Sequence, residues 1–230
     1  GTIIVNNTWS LLASTPPPNW HEYVKDGLCK PNKPTIQIIN KLEFKKGIIR
    51  LGTGELSPEL YPKKMMKKVI NNTSNKIESL GYEEPKGSLF LRQTLSKYLA
   101  RFGINAAPSS ILIVSGSLQA LQLISVGMLH PSSTVLLENP SYLKSLHIFE
   151  SVGMRLKGVG MDKYGIMINE IKKNRAKNNT TLLYTIPTFQ NPTGIVMSQE
   201  RRNEIIKTCE KYRIPIIEDD AYRELSFERQ

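Results

Sequence analysis

Hydrophobic positions in the second half of the chain fall into short apolar runs separated by longer amphipathic stretches. The runs Ile111–Ser115, Val135–Glu138, Arg155–Gly160, Thr180–Ile186 and Ile214–Glu218 are predicted strands. Between them, Leu118–Leu129, Tyr142–Val152, Met167–Lys177 and Gln199–Tyr212 carry apolar residues at helical spacing. Lys63–Asn71 reads as a further helix, and so does Ser88–Phe102, where Leu91, Leu95, Tyr98, Leu99 and Phe102 recur before Gly103. Apolar strands alternating with amphipathic helices predict an α/β fold in three layers, a mainly parallel sheet with helices on both faces.

The first fifty residues break this pattern. Residues 1–8 are a short β-type run, and residues 9–50 read as a linker and N-terminal arm. They hold Pro16-Pro17-Pro18, Trp9, Trp20, Pro31 and Pro34, with periodicity only at Ile36–Leu42. Residues 51–230 form the regular domain.

Composition narrows the function classes. The 40% hydrophobic content suffices for a core, and no apolar run reaches the ~20 residues of a membrane span. No secretory signal opens the sequence, so a cytoplasmic protein is expected. Cys29 and Cys209 have neither metal nor redox spacing. The net charge of +11 is carried by scattered lysines without interleaved aromatics, which licenses a weak attraction to polyanions and no more. His21, His130 and His147 have no partners at catalytic spacing and read as surface or packing residues.

Two strand ends carry the chemistry. Asn191-Pro192-Thr193-Gly194 follows one, and Asp219-Asp220-Ala221-Tyr222 follows the other. In a parallel sheet the loops beyond the carboxyl ends open on one side, where ligands bind. An amide, a carboxylate and a phenol can hold a flat heteroaromatic ring by its edge. The carboxylate keeps a ring nitrogen protonated while Asn191 and Tyr222 bond a ring oxygen, as pyridoxal 5'-phosphate requires. Taken singly, each motif also describes a turn with solvated polar groups. Ser117-Leu118-Gln119, after a small-residue turn, offers a helix N-terminus to a phosphate.

These motifs together resemble the fold-type I pyridoxal-phosphate enzymes of the class I/II aminotransferase kind. The resemblance implies the large-domain fold of that family and assigns roles by position. Tyr142, in Glu138-Asn139-Pro140-Ser141-Tyr142, would stack on the pyridine face. Asp219, three residues before Tyr222, would be the ring-nitrogen partner rather than Asp220. Ser117, Leu118 and Gln119 would meet the phosphate, although Leu118 stands where the family usually has a glutamine. Tyr82 would reach the phosphate of a second subunit, implying a homodimer, and Thr53 and Gly54 would meet the substrate carboxylate. No lysine in the chain matches the family's Schiff-base lysine, which is expected beyond Gln230, so this piece alone is expected to be inactive.

Gly1-Thr2-Ile3-Ile4-Val5 is similar to the last wing strand of a GntR-type winged helix. A winged helix, a linker and an aminotransferase-like domain are the layout of the MocR subgroup of bacterial regulators. The chain is therefore expected to be truncated at both ends. It would be the cofactor-binding, effector-sensing part of such a regulator, reaching DNA only through a winged helix it lacks. The alternative is a catalytic aminotransferase. Both readings call for pyridoxal 5'-phosphate and a small amino compound, as effector or as substrate.

Overall fold

A computed structural model describes residues 18–26, 34–49, 56–175 and 181–227. The proposed wing strand at Gly1–Val5 and the substrate-loop residues Thr53 and Gly54 lie outside these residues. The chain divides into two compact units, one holding Lys33–Ala120 and the other Gly1–Asn32 with Leu121–Gln230.

The second of these units contains the sheet. Strands β1 (Thr134–Asn139), β2 (Arg155–Asp162), β3 (Gly165–Ile166), β4 (Thr181–Thr185) and β5 (Ile216–Glu218) lie in the order β3-β2-β1-β4-β5. β1 pairs in parallel with β2 and β4, and β4 in parallel with β5; only β3 runs antiparallel. The mainly parallel sheet predicted from the apolar runs is present. Val135, Leu136, Leu182, Leu183 and Tyr184 are enclosed on both faces, as central parallel strands must be. Each such side chain contributes about 1.5–3 kcal/mol by leaving water.

The helices of this unit are α1 (Trp20–Asp26), α6 (Leu143–Ser151), α7 (Ile168–Asn174) and α8 (Gln199–Tyr212). Helix α5 (Ser117–Met128) begins in the other unit and ends in this one. α8 starts where Ser198 caps it, its hydroxyl accepting from the Arg201 N–H, and stops at Arg213 in the left-handed conformation. Its buried face, Ile205 and Cys209, packs with Ile171 of α7 and with Leu136, Val159 and Leu183 of the sheet.

The other unit holds α2 (Pro34–Glu43), α3 (Lys63–Ser74) and α4 (Leu89–Ala100). Arg92 of α4 is buried and ties its loops down, donating to Gly87 O at 2.9 Å and Pro108 O at 3.1 Å and pairing with Glu84. One expectation needs correction. Ile111–Ser115 is not a strand; its Ile113 N–H goes to Lys86 O, and an apolar run without a ladder partner stays irregular. Within residues 9–50, helix α2 covers the periodic Ile36–Leu42 run, and α1 is a further short helix.

Candidate functional site

β1, β4 and β5 are parallel neighbours, so the loops after Asn139, Thr185 and Glu218 leave from one end of the sheet. Those loops carry Tyr142, Asn191 and the Asp219–Tyr222 pair. The side-chain amide of Asn191 donates to the Tyr222 oxygen at 3.1 Å. The Asp219 backbone N–H donates to Thr185 O at 2.9 Å, continuing the β4–β5 ladder, while its Oδ2 accepts the Tyr184 hydroxyl at 2.8 Å. Asp220 is used differently: its Oδ2 pairs with Arg223, and its Oδ1 is buried without a hydrogen bond. The adjacent carboxylates thus have separate partners.

Tyr142 stands just before the first residue of α6 and is half-buried. Burial first, then Tyr222 and Asp219 nearby, hold its phenol above the usual tyrosine range, so it is neutral at physiological pH. A neutral ring beside a carboxylate and a phenol suits the face of a heteroaromatic ligand.

Behind these groups lies a buried carboxylate. Glu138 closes β1 with no exposure. It accepts from Thr185 Oγ1 at 2.5 Å, from the Ile186 N–H at 3.1 and 3.2 Å, and from Gln190 Nε2 at 3.1 Å. Gln190 extends the network, donating also to Pro140 O at 2.9 Å and accepting from the Thr193 N–H and hydroxyl at 3.0 and 2.6 Å. One side chain therefore joins the Tyr142 loop to the Asn191 loop. Burial raises the Glu138 carboxyl above its ordinary range, against the pull of its three donors. From the α8 side, Arg202 donates to Pro187 O and Thr188 Oγ1, each at 3.1 Å, fixing the base of the Asn191 loop.

Glu138 and Gln190 act on these loops through backbone and amide contacts, which the loop motifs themselves do not spell out. The available signal was a carboxylate closing a fully apolar run, Val135–Leu137.

In the unit of residues 33–120, Ser117 opens α5 and Gln119 folds back, its side-chain oxygen accepting the Ser115 N–H at 2.5 Å. The glutamine oxygen is thus spent on the turn. Leu118, half-buried, adds no polar group. Tyr82 is fully exposed on its loop. Among the described residues no cluster of His, Cys, Asp and Glu could hold a metal ion, and no helix is long and apolar enough to cross a membrane.

Pyridoxal phosphate calls for a partner at its ring oxygen and one at its ring nitrogen. An amide N–H and a phenol joined at one point match a ring oxygen, and a carboxylate with one oxygen already held matches a ring N–H. The residues fit.

Known proteins share the sequence and fold of this chain. The family model described as "Aminotransferase class I and II" matches residues 46–230. The HTH-type transcriptional regulator YdfD of Bacillus subtilis (strain 168) is 50% identical over 98% of the chain and 47% of its own length. The HTH-type transcriptional regulator NorG of Staphylococcus aureus (strain USA300) is 34% identical over 90% of the chain and 47% of its own length. The chain thus spans about half the length of the curated relatives it matches. Among solved structures, the kynurenine aminotransferase of Pyrococcus horikoshii superposes with a TM-score of 0.80 at 28% identity, over 92% of this chain and 54% of that one. An archaeal alanine:glyoxylate aminotransferase gives 0.75 at 31% identity, over 91% and 53%. The chain belongs to the aminotransferase class I and II family.

Proposed function

We propose that the chain is the pyridoxal-phosphate-binding, effector-sensing part of a transcription regulator of the MocR kind. The ring-edge arrangement of Asn191, Tyr222 and Asp219 supports the cofactor. Similarity along nearly the whole of this chain, and about half of each relative, to proteins named as HTH-type transcriptional regulators supports the regulatory role, and this is the observation that carries the reading.

When bound, pyridoxal phosphate supplies an aldehyde that captures amines and a ring that withdraws electrons. The chain's own residues orient it. Asp219 holds a proton at the ring nitrogen, Asn191 and Tyr222 hold the ring oxygen, and Tyr142 covers one face. By resemblance, the phosphate goes to Ser117, Leu118 and Gln119, with Tyr82 serving a second copy in a homodimer, and Thr53 and Gly54 meet the carboxylate of the amino compound. A DNA-reading domain elsewhere in the full-length protein would respond to that compound.

The test is a titration of the full-length protein with pyridoxal phosphate, followed by absorption, and then a DNA mobility shift with and without amino acids. Cofactor binding together with an amino-acid-dependent shift is the expected result. A second reading, a catalytic aminotransferase, is favoured by the names of the superposing structures. Steady transamination of an amino acid and a 2-oxo acid without any DNA response would select it.

A further inference from the structure

We propose that Tyr184 is a positioning residue that sets how strongly Asp219 holds a proton on the cofactor's ring nitrogen. This inference rests on the cofactor reading above. Tyr184 is fully enclosed in β4, packed edge-on against Phe149 with ring centroids 5.7 Å apart, and its hydroxyl donates to Asp219 Oδ2 at 2.8 Å. A ring with no freedom to turn fixes both the direction of that hydrogen bond and the rotamer of the carboxylate. No other side-chain donor from the described residues reaches Asp219, so its second oxygen is left for a ligand donor.

The physical consequence is a matter of proton affinity. A donor hydrogen bond stabilises the ionised form of a carboxylate and lowers its appetite for a proton. At Asp219 that donor is the Tyr184 hydroxyl, which shares the charge that a pyridine N–H would otherwise meet alone. Glu138 from β1 and Tyr142 from the flanking loop are the other titratable groups close enough to feel the Asp219 charge. Arg223 is engaged by Asp220 and Glu218. Tyr184 is thus the neutral donor to this carboxylate.

The experiment uses the full-length protein that carries this chain, loaded with pyridoxal phosphate labelled with nitrogen-15 in the ring. Tyr184→Phe removes one hydroxyl and keeps the packing against Phe149. With the carboxylate charge no longer shared with a donor, the midpoint of the ring-nitrogen titration should rise by about one pH unit, and affinity should drop about tenfold as the carboxylate loses its fixed rotamer. Should that variant fail to fold, 3-fluorotyrosine placed at position 184 keeps the shape and makes the phenol a stronger donor, which should lower the midpoint. An unchanged nitrogen titration in either protein would overturn the role of Tyr184. Failure of the unmodified protein to bind pyridoxal phosphate would instead overturn the cofactor reading.

Discussion

Gln190 and Glu138 meet side chain to side chain at 3.1 Å, both almost wholly enclosed, at the end of the sheet where the functional loops leave. Removing the amide strands a buried carboxylate and frees two loops at once. Gln190→Leu is expected to cost about 2–3 kcal/mol of stability, the usual penalty for a charged group losing a donor. Urea unfolding measures it, and weaker pyridoxal-phosphate binding should accompany the loss.

Two carboxyls give the stability opposite dependences on acidity. Glu138 is raised above its ordinary value of 4.5 by burial, so the native state binds the proton more tightly than the unfolded chain. Its contribution is complete below that value and falls as pH rises to the native one. Asp162 is lowered from 3.8, chiefly by its hydrogen bond from Arg201, so its contribution is present above that value and lost as pH falls through the native one. Glu138→Gln should flatten the decline on the less acidic side while lowering stability, because its amide faces donors. Asp162→Asn should flatten only the acid limb. Unfolding midpoints across the acid range separate the two.

Gly87 has φ +86°, and a Cβ there would stand 2.6 Å from Ile113 Cβ. Gly47 has φ +81° with nothing within 4 Å. Gly47→Ala should therefore cost only the left-handed penalty, about 1 kcal/mol. Gly87→Ala adds a collision with a branched side chain and should cost at least about 2 kcal/mol. Paired thermal melts distinguish the cases.

Leu118 stands at the second position of α5, where a glutamine would add a donor. Leu118→Gln is expected to tighten pyridoxal-phosphate binding about three- to tenfold, the scale of one hydrogen bond to a charged oxygen. Fluorescence titration reads the change.

The parallel sheet was legible because its strands are short, apolar and separated by helices with a clear period; α8 has the bounds its pattern predicts, Gln199–Tyr212. Asn191, Asp219 and Tyr222 stand out in the sequence because they sit in compact motifs at strand ends, and the structure brings the Asn191 amide to the Tyr222 oxygen. Ile111–Ser115 misled because an apolar run encodes burial, and a strand also needs a neighbour to bond. Tyr184 was hidden for a related reason. In a run enclosed on both faces, Thr181–Thr185, nothing in the alternation marks which side chain turns its hydroxyl toward Asp219, 35 residues on.

Cys209 supplies a clock. Its thiol sits in the packed face of α8 and is pushed up to about 11 by burial, so as a nucleophile it is silent while the helix covers it. A thiol reagent can mark it only during the moments when α8 lifts from the sheet. The rate at which the Cys209 peptide gains mass is then the opening rate of that layer or its equilibrium, depending on reagent concentration. Because Arg202 of the same helix anchors the Asn191 loop, a ligand that tightens the loop should slow the marking, turning a buried sulfur into a readout of occupancy at the far end of the sheet.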